Sequence, residues 1–240
     1  MCSCPQLSIS YWGHFFSKLF FRPSGMNCWD IHTHQAGRNH SITQAQIPAK
    51  DEDGTYSIGI HPWRVDLGWE EECIGIEEYA QRNEQVLAIG EVGFDRLKGS
   101  DILLQKNAFF AQANLAARLE IPLILHCVKS HDLLLAYLKS ATYPPNIIWH
   151  GWNQKPELAK QLLPFPIFFS FGKHLLHPES NAAKHLEVCP IDRVFFETDD
   201  SELKIESIYQ AASLILQLPV TRLAEQVIVN WNAISKRKIS

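Results

Sequence analysis

Residues 85–126 read QVLAIGEVGFDRLKGSDILLQKNAFFAQANLAARLEIPLILH. A short apolar run, Gln85–Glu91, ends on a carboxylate. In the longer segment Asp101–Leu119, Leu103, Phe110, Ala113 and Ala117 recur at helical spacing, with Ser100 or Asp101 available as a cap. A second apolar run, Pro122–His126, ends on an imidazole. Strand, helix, strand in this order predicts two parallel strands joined by a crossover helix.

The same alternation extends in both directions. Further strands are expected at Cys28–His32, Tyr56–His61, Asn146–His150, Ile167–Ser170 and Arg193–Glu197. Helices are expected at Glu70–Arg82, Ser130–Leu138, Pro156–Leu163, Asn181–Val188 and Ile205–Leu216, with a last one from Thr221 to about Lys236. The polar stretch Gln35–Gly54 reads as a mobile loop. Strand ends recur at intervals of one βα unit, which predicts an α/β fold, a distorted TIM-like (β/α) barrel of seven or eight strands. An open doubly wound sheet usually begins with a glycine-rich dinucleotide turn, and none follows the first run.

Composition narrows the function. Hydrophobic residues make up 46% of 240, enough for a sizeable core. A net charge of −4 speaks against broad electrostatic capture of a duplex but is compatible with a small anionic substrate. The six cysteines show no framework spacing and read as reduced thiols in a cytoplasmic protein. No apolar stretch is long enough to span a membrane. Residues 1–25 are aromatic-rich, carry Lys18 and Arg22 as their only charges, and lack the order of a signal peptide. They are expected to be an extension outside the fold, with Met26 opening a single domain over 26–240.

Six positions at or just past strand ends carry metal-binding groups: His32, His34, Glu91, His126, His150 and Asp199. In a parallel barrel those ends share one mouth. His32 and His34 have period-2 spacing, so both imidazoles leave one face of the strand. Imidazoles with carboxylates suit divalent cations, and a bridging carboxylate would hold two of them about 3.5–4 Å apart, where they activate water near neutral pH. Glu91 is the expected bridge. One cation is assigned to His32, His34, Glu91 and Asp199, and the other to Glu91, His126 and His150. Asp199 and Glu91 are the expected catalytic carboxylates, Asp199 as acceptor of the proton from the attacking water. Two divalent metals are expected, with Zn²⁺, Mn²⁺ or Mg²⁺ as candidates.

The chain also shows a family pattern: HxH at residues 32–34, GIHPW at 59–63, IGEVGFD at 89–95, LHC at 125–127, His150, and ETD at 197–199. From Asp30 to Asn232 it resembles the TatD family of metal-dependent hydrolases, which belongs to the amidohydrolase-like barrels. The resemblance implies a one- or two-metal centre that cleaves phosphodiester bonds, typically as a deoxyribonuclease working from 3′ ends or on damaged DNA, and the leading expectation for this chain is action on short or single-stranded ends. It implies that His61 lines the pocket and that Asp95 supports Glu91. It also marks departures. Val128 stands where an arginine is common, and Asp200-Ser201-Glu202 replaces a proline and a basic loop. Trp63 is available to stack on a base, and Lys98, Lys129 and Lys173 are the cations left near the mouth. Two alternatives remain at this stage. One is a hydrolase of a non-nucleic ester or amide. The other is a non-catalytic metal-binding protein with Trp63 and Trp152 on a binding rim.

Overall fold

A computed structural model describes residues 27–49 and 54–240. The expectation for residues 1–25 therefore lies outside the described residues. Eight strands form one sheet in sequence order, every neighbouring pair parallel: β1 (Asp30–Thr33), β2 (Ser41–Ala45), β3 (Thr55–Ile58), β4 (Val86–Asp95), β5 (Leu123–Val128), β6 (Ile147–Trp149), β7 (Ile167–Phe171) and β8 (Val194–Phe196). A parallel bridge between Thr33 and Asp199 joins the first strand to the segment after the last. The sheet thus closes into a (β/α) barrel.

Outside it lie α1 (Trp69–Arg82), α2 (Ile102–Leu119), α3 (His131–Ser140), α4 (Pro156–Leu162), α5 (Asn181–Leu186), α6 (Ile205–Leu216) and α7 (Val220–Ile234). Their positions match the expected helices. Asp101 caps α2, accepting a hydrogen bond from Leu103 N at 2.8 Å. Among the described residues, no single helix is long and apolar enough to cross a membrane.

Two readings need correction. The stretch expected as the loop Gln35–Gly54 contains β2, and β1 reaches it through residues 34–40 without a helix. Of β2's residues, Ile42 is the fully buried apolar anchor, too little for a strand signal; pairing on both edges, to β1 and β3, holds it in place. The buried face of α2 is also rotated from the expected one. Leu103 is exposed, while Gln105, Phe109, Gln112, Ala113 and Ala116 face the barrel. Two glutamines occupy that face because they satisfy backbone groups at the barrel mouth.

Candidate metal centre

The strand that carries Glu91 is irregular where it matters. Between Ile89↔Leu123 and Val92↔Leu125 the register of β4 against β5 shifts by one residue. Such a bulge re-aims a side chain, and here it falls at Gly90 and Glu91. Close approach demands glycine on this strand: a Cβ at Gly93 would lie 1.9 Å from His126 O. β1 carries a similar shift between Asp30 and Thr33, next to His32.

Glu91 is buried, and its two oxygens face opposite ways. Oε2 lies 3.4 Å from Nε2 of both His32 and His34. Asp199 Oδ1 completes that side, 3.7 Å from His32 Nε2 and 3.5 Å from His34 Nε2. Oε1 lies 2.6 Å from His126 Nδ1, 2.8 Å from His150 Nε2 and 3.2 Å from His61 Nε2. Burial opposes ionisation of Glu91, but His150, His126 and His32 overcome it and hold the carboxyl well below its usual range. Burial likewise disfavours charge on His150, yet Glu91 and Glu197 leave it well above the usual imidazole value. His34 is raised by its hydrogen bond to Glu91.

The donors fit a divalent cation. Two ligands about 2.1 Å from a tetrahedral ion stand about 3.4 Å apart, and the separations on the Oε2 side are 3.4–3.7 Å. Among the described residues both nitrogens of the buried His32 lack a hydrogen-bond partner, a costly arrangement for a group in the interior. Three overlapping triads could each hold an ion: His32, His34 and Glu91; His32, His150 and Asp199; His61, Glu91 and His126. His61, which the resemblance placed beside the substrate, thus also lies within a group that could hold an ion.

Asp199 keeps its position through the backbone. Its N donates to His32 O and its O accepts from His34 N, each at 3.0 Å, and its φ of 54° is one that aspartate tolerates. Asp95 corrects an expectation, since it backs His126 rather than Glu91. Its Oδ2 is 3.2 Å from His126 Nε2 and accepts from Trp63 Nε1 at 2.7 Å. Burial would raise Asp95, but these contacts and the Leu97 and Lys98 amides lower it. The sequence reading missed three further supports. Gln105 Oε1 accepts from Asp95 N at 2.8 Å, and Gln112 Oε1 accepts from Ile60 N at 2.7 Å, steadying the turn before His61. Arg96, at the mouth, is held in a bidentate pair with Asp132 at 2.6 and 2.7 Å. A polar residue at a barrel-facing helical position was the only available signal for the glutamines.

A cavity of about 290 Å³ opens beside the centre, lined in part by His150, Gly151, Lys173, His174, Glu197 and Asp199. Lys173 lines it and pairs with Asp200 Oδ1 at 2.8 Å. Lys129 is exposed and does not line it. Trp63 is 49% exposed, its ring 4.7 Å from that of His61, with Lys98 Nζ 4.3 Å above it. Trp152 is not on a rim. It is fully buried because its backbone returns to β7, donating to Ser170 O, and its ring packs on Trp149, Phe169 and His185.

Comparison with known proteins follows the same line. A family model described as TatD related DNase matches residues 21–231. The uncharacterized metal-dependent hydrolase YabD of Bacillus subtilis is 31% identical over 165 residues, covering 66% of this chain and 64% of that protein. The 3'-5' ssDNA/RNA exonuclease TatD of Klebsiella pneumoniae is 30% identical over 161 residues, covering 65% and 61%. The crystal structure of YjjV, a TatD homolog from Escherichia coli, superposes with a TM-score of 0.66 at 21% identity over 75% of this chain and 76% of that one. The chain spans about 60% of the length of the curated relatives it matches.

Proposed function

This chain belongs to the TatD-related DNase family of metal-dependent hydrolases, and on that premise we propose that it hydrolyses phosphodiester bonds at DNA ends or in short single-stranded nucleic acid. One observation carries the reading: each oxygen of Glu91 faces its own set of imidazoles. That arrangement supports a centre for divalent cations, Zn²⁺, Mn²⁺ or Mg²⁺, which Glu91 would share between two sites. His32, His34 and Asp199 would hold the first with Glu91, and His126 and His150 would hold the second with Glu91. Cations bound there supply Lewis acidity to the phosphate and lower the pKa of water.

The remaining work falls to side chains. Asp199, partly open to solvent and beside the cavity, accepts the proton from the attacking water. His61 either joins the ligands or donates to a phosphate oxygen from the Oε1 side. Trp63 offers an exposed indole for base stacking, its ring fixed by the hydrogen bond to Asp95. Lys173 reaches the cavity as a cation for the phosphate, and Lys129 supplies charge at the outer edge.

The test is a labelled oligonucleotide with purified protein and Mn²⁺, Mg²⁺ or Zn²⁺. Shortening from the 3' end, abolished in Glu91→Ala, is expected. No shortening with any of these metals would refute the reading. One observation favours hydrolysis of a small non-nucleic ester or amide instead: Lys173 and Arg96 are already paired with Asp200 and Asp132, leaving less free charge for a long phosphate backbone. Turnover of such esters with inert DNA would select that alternative.

A further inference from the structure

Glu197, a fully buried carboxylate on the segment after β8, has no role in the reading above. Its Oε1 accepts from Gly151 N and lies 3.6 Å from His150 Nδ1. Among the described residues its Oε2 is buried without a hydrogen-bond partner, and so is His150 Nδ1. A buried carboxylate with an unsatisfied oxygen and an unsatisfied ring nitrogen able to donate therefore belong to neighbouring side chains. The opposite ring nitrogen, His150 Nε2, points the other way, 2.8 Å from Glu91 Oε1 and 3.5 Å from His126 Nδ1.

We propose that Glu197 is a positioning residue that keeps the proton of His150 on Nδ1 and so leaves the Nε2 lone pair free for a cation. A neutral imidazole carries one proton, and the hydrogen bond made by one nitrogen decides which nitrogen can ligate. With a proton on Nδ1, the orphaned nitrogen has the Glu197 carboxylate, 3.6 Å away, as its acceptor. With the proton on Nε2, a donor would stand where the cation belongs, and Nδ1 would face Glu197 lone pair to lone pair. Asp95 plays the matching part behind His126. Of the imidazoles on the Oε1 side, His126 and His150 are thus each backed by a buried carboxylate.

The proposal rests on His150 being a ligand, so His150→Ala is measured alongside. Glu197→Gln keeps the size and an acceptor for Gly151 N but removes the negative charge that favours a proton on Nδ1. Titration of the chelated full-length protein with Mn²⁺ is expected to show a 10–100-fold weaker cation site in Glu197→Gln, the usual scale for such partners, with the melting temperature of the metal-free protein unchanged. In ¹⁵N spectra of the Zn²⁺-loaded wild type, His150 should show a slowly exchanging Nδ1–H and an unprotonated Nε2. Wild-type Mn²⁺ binding in Glu197→Gln together with a weakened site in His150→Ala overturns the role of Glu197 alone. Wild-type binding in both removes His150 from the ligands. If Glu197→Gln does not fold, the wild-type spectrum decides, and a His150 that carries its proton on Nε2 refutes the proposal.

Discussion

The two sides of Glu91 are built differently. On the Oε1 side, His126 and His150 are close to the carboxylate and mostly buried, and each has a carboxylate behind it, Asp95 and Glu197. On the Oε2 side the separations are longer, His34 is 44% exposed, and Asp199 is 29% exposed. Side chains that are packed and backed lose little entropy when they bind an ion, whereas open ones must be ordered first. The Oε1 side is therefore expected to be the tighter cation site. The Oε2 side is the one that can exchange and meet substrate.

Glu91→Ala removes the residue common to both sides. Activity should fall by about a thousandfold or more, since the transition state loses its main electrostatic support, and metal analysis should find both cations lost. Retention of either at wild-type affinity would show that Glu91 is not shared.

Asp95→Asn strikes one side only. Cation affinity on the Oε1 side should weaken by about 10–100-fold, and isothermal titration should leave the other site within a fewfold of wild type. Equal weakening of both sites would erase the distinction between them.

Acidity gives a subtler contrast. In the chelated protein His34 and His150 are raised, so their stabilisation is fully present below the ordinary value of 6.5 and is lost as pH rises through their folded-state values. Glu91 is lowered, so its stabilisation is present above the ordinary 4.5 and is lost as pH falls through its folded-state value. The combined contribution of these three groups should accordingly be largest between about 4.5 and 6.5. Cations need deprotonated ligands. The gap in melting temperature between Mn²⁺-loaded and chelated protein should therefore widen from pH 6 to pH 8, and a gap that narrows would contradict the assigned ligands.

The smallest effect belongs to the rim. Lys173 and Asp200 are largely exposed, so Lys173→Ala should cost under about 1 kcal/mol of stability. On an oligonucleotide it should raise KM a few-fold with kcat little changed. A large fall in kcat would move Lys173 from binding into the chemistry.

Much of this organisation was legible in residue pattern. The apolar runs of β4 and β5 and the α2 segment between them declare a parallel βαβ unit, and most elements fall within a few residues of their expected bounds. The six His and carboxylate positions were visible because each follows an apolar run, and in a parallel barrel such ends meet. β2 was not visible, since SITQA has one deeply buried apolar residue and is held by its neighbours. Trp152 looked like a rim residue from its place after His150, but the backbone turn at Gly151 sends it inward. Gln105 and Gln112 carried no signal in the sequence because their partners, the backbones of Asp95 and Ile60, lie on other elements.

The sequence by itself determined the strand–helix alternation, the barrel class and the set of groups at its mouth, because these follow from local periodicity and residue type. Only the tertiary structure decided which oxygen of Glu91 faces which imidazole, that Asp95 backs His126, and that Glu197 lies beside His150. Those are relations between side chains far apart in the chain, set by a bulge in β4, by the closure of β1 against the end of β8, and by which polar atoms burial leaves without partners.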